Sequence, residues 1–276
     1  MDLITRENIQ KHVQTYTHHA FHYVDWDEIM HFELVHIDHE GLFVYGFRKD
    51  HHIHELIWAV NHLNTLINYS KHYPNALISF IPRDWKDELI KHGYHEYGVI
   101  RDYWLNDLSS FHESHYLQQL TIKDAQEISD ITKDCLMLSR EFHGESYHDV
   151  IAWITHQDYY LQEVKARDTA IFGYNVNDHL VGVIFVSIYG DSSPRGPVLW
   201  VREIAVKRDY QGQGIGRKLM KHALCYGNQK GAMRSFLAAD DLNHSAIHLY
   251  MSMGYTPNLD EEQIDMMTPS EKRDKQ

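Results

Sequence analysis

The stretch Trp200 to Met220 reads WVREIAVKRDYQGQGIGRKLM. Its first part, Val201-Arg202-Glu203-Ile204-Ala205-Val206, sets apolar, partly β-branched residues among charges and predicts a strand. A polar corner, Lys207 to Tyr210, leads into Gln211-Gly212-Gln213-Gly214-Ile215-Gly216. Apolar spacing then turns helical, with Ile215, Leu219, Met220, Ala223 and Leu224 on one face. Strand, glycine turn and helix form an arrangement suited to phosphate. The first N–H groups of a helix lack internal partners, and the helix dipole adds partial positive charge there. Glycines at 212, 214 and 216 remove the Cβ atoms that would keep a pyrophosphate away.

Two familiar phosphate motifs do not fit. A P-loop ends Gly-Lys-Ser/Thr, and this segment continues Gly216-Arg217-Lys218. A dinucleotide fingerprint needs glycine where Arg217 stands, and the stretch lies too late to open a doubly wound sheet. Downstream stands a second segment, Asn243-His244-Ser245-Ala246-Ile247-His248-Leu249-Tyr250-Met251-Ser252-Met253-Gly254-Tyr255. Asn243 is placed to cap a helix and Gly254 to end it, with Tyr250 two turns on from Asn243 and on the same face.

Gln211-Gly212-x-Gly214-x-Gly216 after a strand resembles the acyl-CoA loop of the GCN5-related N-acetyltransferase (GNAT) superfamily. The later segment resembles its closing pattern, N-x-x-A-x-x-x-Y-x-x-x-G-F/Y, at every marked position. The resemblance implies an α/β (α+β) acyl-CoA N-acyltransferase fold: a central mixed, mostly antiparallel sheet flanked by helices. It implies acetyl-CoA as cosubstrate, no metal, and acetyl transfer to the primary amine of a small molecule or peptide in a ternary complex. The alternative is a non-catalytic acyl-CoA-binding or partner-interaction module on the same fold.

Site residues carry over by position. The resemblance implies that Gln211, Gly212, Gln213, Gly214, Ile215, Gly216 and Arg217 hold the pyrophosphate, mostly through main-chain donors. Arg217 and Lys218 either reach phosphate or lie on a solvated face. Backbone of Ile204, Ala205 and Val206 would pair with the pantetheine arm, and the N–H of Ala205 or a neighbour would bind the oxyanion. Asn243 would bond the arm. Tyr250 would protonate the departing thiolate, and Glu203 is the nearest candidate base for an amine that must lose a proton before attack. Strand alternation places Glu203 and Ala205 on one face, with Trp200 and Arg202 on the other.

The 276 residues suit one large or two modest domains, and 43% hydrophobic with 12% aromatic content marks a globular chain. A net charge of -13 argues against nucleic acid and is compatible with a cationic acceptor. No apolar run reaches the roughly 18 residues of a membrane span, and MDLITRENIQKH lacks the pattern of a signal peptide. The expectation is a cytoplasmic protein, monomeric or homodimeric, with no nucleic-acid or membrane partner. Cys135 and Cys225 read as reduced, buried and inert. The 23 histidines, including His18-His19 and His51-His52-Ile53-His54, have no neighbouring ligand cluster and read as a compositional habit.

Along the chain, residues 1 to about 25 are expected to form one helix and its exit. A hairpin follows (Met30 to Ile37 and Gly41 to Phe47), then a helix carrying Leu56, Ile57, Val60, Leu63, Leu66 and Ile67. Ala76 to Ile81 and Tyr94 to Leu105 read as strands around a helix, Trp85 to His92. This order echoes the second half, with Ser79-Phe80 and His92-Gly93-Tyr94 set against Ser235-Phe236 and Met253-Gly254-Tyr255. It implies a tandem protein: residues 1–112 a degenerate GNAT-like domain without the glycine loop, Ile90 or Lys91 standing near the tyrosine's place, and 113–276 the catalytic domain; the alternative for the first half is an unrelated α+β domain with a chance echo. Asn106 to Ser114 reads as a linker. Tyr116 to Thr121 reads as a strand, and helices follow around Ile128 and from Ser146 to Glu163. Thr169 to Val176 and Leu180 to Tyr189 form a hairpin through Asn177-Asp178, and Gln263 to Met267 is a last strand. Acidic Glu141, Glu145 and Asp149 either attract a cationic amine or form a solvated face.

Overall fold

Alternation, turns and caps build most elements where the sequence places them. The computed structural model describes residues 3–21, 24, 26, 29, 31–48, 52–135 and 144–270. It divides into two units, Met1–Val99 with Gln263–Gln276, and Ile100–Glu262. The first unit opens with α1 (Leu3–Val13), β1 (His18–His19), β2 (Glu33–Ile37), β3 (Gly41–Arg48) and β4 (Ile53–Val60). It continues with α2 (Leu63–Ser70), β5 (Ala76–Ile78), α3 (Lys86–Lys91) and the start of β6 (His95–Leu105).

The expected β2–β3 hairpin forms, with Glu33 opposite Tyr45. Residues 53–60 correct the helical expectation. They form a strand whose last six residues, Glu55 to Val60, are all buried, so the run is apolar on both sides and its spacing carries no period to read. Only Leu63–Ser70 is helical.

The second unit holds β7 (Gln118–Gln119), α4 (Ala125–Asp134), α5 (Tyr147–Ile154), α6 (Tyr159–Glu163), β8 (Asp168–Val176) and β9 (His179–Tyr189). It continues with β10 (Val198–Val206), α7 (Ile215–Gln229), β11 (Arg234–Asp240), α8 (His244–Ser252) and the start of β12 (Thr256–Met267). Its strands run in the order β6-β11-β10-β9-β8-β7. Antiparallel pairs dominate, and β10 with β11 is parallel. Asn177 and Asp178 turn the β8–β9 hairpin with φ of 50° and 64°, the left-handed pair a tight hairpin requires. The single helix expected from Ser146 to Glu163 is two. His156 takes φ 58°, and Asp158 caps α6 by accepting from the N–H groups of Tyr160 and Leu161.

Strand β9 is buried along nearly its whole length. Ile184, Val186 and Ile188 pack with Leu219, Met220 and Leu224 of α7 on one face. Val183 and Phe185 pack with Ile128, Ile131 and Trp153 of α4 and α5 on the other.

The units do not follow the expected division at 112. Leu108, in the expected linker, is fully buried in the second unit's core, and its N–H donates to Met233 C=O at 3.2 Å. The end of β12 completes the first unit. Met266 pairs with Ile78, Ile264 and Met266 join the first core, and Thr268 N–H donates to Ala76 C=O at 2.9 Å. Among the described residues, no helix is long and apolar enough to cross a membrane.

One packing detail reverses a propensity argument. Glycine inside α7 should cost about 1 kcal/mol against alanine, yet a Cβ on Gly227 would lie 2.8 Å from Leu199 Cδ2. Gly227→Ala is therefore expected to destabilise by about 1–3 kcal/mol, read from urea denaturation. A neutral or stabilising result would mean that α7 shifts freely on β10.

Candidate active site

Strands β10 and β11 pair only at Val198↔Arg234, Leu199↔Ser235 and Trp200↔Phe236. Past that point they part: β10 continues against β9, and β11 against β6. The parity of β10 follows from its hydrogen bonds. Lys207 N–H donates to Val181 C=O at 2.9 Å, and Ala205 sits opposite Val183. Residues 205 and 207 therefore turn their N–H groups to β9, and Ile204 and Val206 turn theirs to the open side. Of the expected stretch Ile204 to Val206, the N–H of Ala205 is thus turned to β9, and those of its two neighbours are not. Val206 C=O also faces away from β9, accepting from Gln211 Nε2 at 2.9 Å and from Cys135 Sγ at 3.3 Å.

The register slips between Val201 and Glu203, a bulge that leaves Arg202 as the extra residue. Leu199 and Val201 pack toward α7, whereas Ala205 packs with Trp200 on the α4–α5 side. Arg202 lies on that same side, its guanidinium 5.0 Å from the Trp153 ring. The expected opposition of Arg202 and Trp200 to Glu203 and Ala205 is thus corrected, because the extra residue resets the alternation. Glu203 Oε1 is buried without a hydrogen-bond partner. Burial, first, and the charge of Glu145, second, push the Glu203 carboxyl well above its ordinary value of 4.5, against the pull of Arg202.

Glu145, left open between acceptor binding and a solvated face, is buried and 3.2 Å from Arg202 Nη2. Arg202 Nη1 reaches Asp158 Oδ2 at 3.0 Å. Asp149 caps α5 with Ser146, and Glu141 lies outside the described residues. Asp158 and the grouping of Glu145 with Arg202 have no mark of their own in the sequence. The signal was two adjacent charges inside an otherwise apolar strand, which a regular alternation cannot bury on one face.

The glycine loop follows directly. Gly212 and Gly214 have φ of 73° and 76°, and no atom lies within 4 Å of an added Cβ at either position. Backbone conformation, not internal packing, calls for glycine here. Lys218 N–H donates to Gly214 C=O at 3.2 Å, so the first helical N–H groups are those of Ile215, Gly216 and Arg217. Side chains at the loop are engaged within the protein. Gln213 Nε2 donates to Asp209 C=O at 3.2 Å, Arg217 to Ser252 Oγ at 2.6 Å and Lys218 to Tyr174 Oη at 2.6 Å. Asn243 Oδ1 accepts from Ala246 N–H at 3.2 Å, capping α8 as its position predicts.

Tyr250 is buried, its ring 6.4 Å from that of Tyr103 and 6.1 Å from that of Tyr255. Burial and then the charge of Glu203 raise its pKa, so the phenol stays protonated. Both cysteines are free and buried. Burial pushes the Cys135 thiol up to about 11, a poor nucleophile. Among the described residues, no three His, Cys, Asp or Glu gather as a metal site.

Residues 126–255 match the family model of the acetyltransferase (GNAT) family. This segment is a GNAT domain. Streptothricin acetyltransferase of Streptomyces lavendulae is 39% identical over 57 residues, which make up 21% of this chain and 30% of that one. Thialysine N-epsilon-acetyltransferase of Bos taurus is 36% identical over 63 residues, 23% of this chain and 37% of that one. The matches thus span about a third of these curated relatives. A crystal structure of a GCN5-related N-acetyltransferase from Anabaena variabilis shares the fold, with TM-score 0.58 and 9% identity over 96% of this chain and 70% of that one. That likeness in fold reaches into both units.

The first unit repeats the parting strands without the GNAT domain's open edge. Strand β4 pairs in parallel with β5 only at His54↔Ala76 and Glu55↔Leu77. Beyond, the edge is taken by the chain's own β1, with His19↔Ala59 and His18↔Val60. Ala20 N–H adds a bond to Trp58 C=O at 2.8 Å. The fully buried Trp58 donates from Nε1 to Ser79 C=O at 2.9 Å, bridging from β4 to the end of β5. Only Asn61 and His62 join β4 to α2, leaving no glycine loop.

Glu203 ties the GNAT domain's stability to pH. A carboxyl that holds its proton more tightly when folded loses stability as pH rises through its unfolded value toward its folded one. Glu203→Gln should melt close to the wild type at about pH 4 and progressively higher than it toward pH 7. Thermal melts across this range check it, and a gap that does not widen with pH would place the carboxyl in water.

Proposed function

We propose that the second unit transfers an acetyl group from acetyl-CoA to the primary amine of a small molecule or peptide, by direct attack in a ternary complex. The first unit binds no acyl-CoA. The observation that carries this reading is the unpaired edge of β10, running into a glycine loop that opens α7. The charge of Glu203 raises the pKa of Tyr250, so the two groups act on one another.

On this reading the pantetheine arm lies along Ile204 to Val206, and the pyrophosphate meets the N–H groups from Gln211 to Arg217. The amide nitrogen of Asn243 remains for the arm. Glu203 takes a proton from the acceptor ammonium, and burial, which raises its pKa, strengthens its hold on that proton. The neutral amine attacks the thioester carbonyl, whose developing oxyanion accepts from the N–H of Ile204 or Val206. Collapse expels the thiolate, which takes the Tyr250 proton, and the second proton of the attacking nitrogen leaves as the amide forms and restores the tyrosine. The curated relatives, named for streptothricin and thialysine, favour a small amine as acceptor.

Binding and chemistry are tested separately. Isothermal titration should find one acetyl-CoA site per chain; two sites would overturn the role given to β1 and Trp58 in the first unit. A panel of amines should release free thiol from acetyl-CoA. Tyr250→Phe keeps the ring, so acetyl-CoA affinity should hold while kcat falls by roughly 10²-fold. Near wild-type kcat, with chemistry limiting the rate, would reduce Tyr250 to a packing residue.

A further inference from the structure

The Arg202 guanidinium is the centre of a buried charge cluster drawn from separate elements. Its Nη2 lies 3.2 Å from Glu145 Oε1, in the segment before α5, and its Nη1 lies 3.0 Å from Asp158 Oδ2, the cap of α6. Trp153 stands 5.0 Å away and Tyr160 5.8 Å, so aromatic faces enclose the cation. Glu145 is fixed from its other side as well. Its C=O accepts from Ser129 Oγ at 2.7 Å, and its N–H donates to Thr132 Oγ1 at 2.8 Å. The cluster is therefore tied through its backbone to α4.

Glu203 follows Arg202 directly, and its Oε1 is buried with no partner of its own. The groups that face it are Glu145 before α5, Arg202 on β10, Tyr250 on α8 and Cys135 at the end of α4. Asp158 acts through Arg202. One cation thus serves two neighbouring carboxylates, while the third is left without a counter-charge of its own.

We propose that Arg202 is a positioning residue for Glu203: extruded by the bulge, it clamps Glu145 and Asp158 and so sets the charge that Glu203 faces. The proposal rests on the reading of Glu203 as base, and it adds that the bulge brings this arginine to the α4–α5 side of β10. An arginine suits the task because its planar fork spans two carboxylates while staying charged. Removing the cation leaves Glu145 to act on Glu203 unopposed. Removing the Glu145 charge leaves Arg202 to act on it with less opposition.

The test is a charge cycle read from pH profiles of kcat/KM with a responsive amine. Arg202→Gln should move the acidic limb up by roughly one pH unit, tenfold in rate on that limb, and Glu145→Gln should move it down by a similar amount. The double variant should return close to wild type. If Arg202→Gln does not fold, Glu145→Gln alone carries the test, since its downward shift has no origin in a merely structural role. Limbs that stay in place while kcat falls at every pH would overturn the proposal and leave Arg202 a brace between helices. Titration of the Glu203 carboxyl by carbon NMR, assigned with Glu203→Gln, needs no turnover. The same shifts by NMR without acetyl transfer would uphold the role of Arg202 and sink the proposed activity instead.

Discussion

The parting of β10 from β11 past Trp200 and Phe236 is the constraint on which the rest of the second unit depends. It is held at its closed end by a buried relay: Ser235 Oγ donates to Leu199 C=O at 3.0 Å and bonds the Tyr255 hydroxyl at 2.6 Å. Tyr255 lies at the end of the same segment that carries Asn243 and Tyr250, so the motif tyrosine sits on a helix fastened at the apex of the opening. The bulge at Arg202 comes two residues beyond Trp200, the last residue of β10 paired with β11, where added twist carries β10 away from its neighbour. Opening, bulge and helix thus share one origin.

The two units solve the same backbone problem in opposite ways. An edge in a protein interior must have its N–H and C=O groups paired. In the first unit β1 supplies the partners and Trp58 spans the remaining gap with a side-chain bond. In the second, the N–H groups of Ile204 and Val206 face the opening, two residues apart and so roughly 6.6 Å along the strand. Such an edge is complete only with water or with a ligand whose polar groups repeat on that scale. The echo in sequence between the halves is a resemblance of framework; the β1 segment that closes one of them lies far from the residues that carry the echo.

Much of the second unit was legible because its residues are tied to local geometry. Glycines with positive φ, an asparagine cap and a two-residue hairpin turn each leave a mark on the sequence. What was not legible depends on pairing between distant segments. Residues 53–60 read as helix because a strand buried on both faces has no period of two. The end of β12 reads as part of the catalytic half until Thr268 is seen bonded to Ala76. The facing of Arg202 and Glu203 followed from an alternation that one inserted residue breaks. Glu145 and Asp158 belong to the site only because Arg202 reaches them.

On the proposed reading, that cluster bears on how an amine becomes a nucleophile. Burying a carboxylate raises its pKa, and burying an ammonium lowers its own. In water the two values differ by roughly six units, against proton transfer from amine to carboxylate. When both groups share a dry site, desolvation moves them toward each other, and the neutral pair is the cheaper one to bury. Arg202 limits this effect on the carboxylate; on the proposed reading, a Glu203 pushed too far would arrive already protonated and unable to accept. The neighbouring charges work against one another, Glu145 raising the proton affinity of Glu203 and Arg202 restraining it. On the proposed reading, catalysis near neutrality depends on that balance being struck by the protein before the acceptor binds.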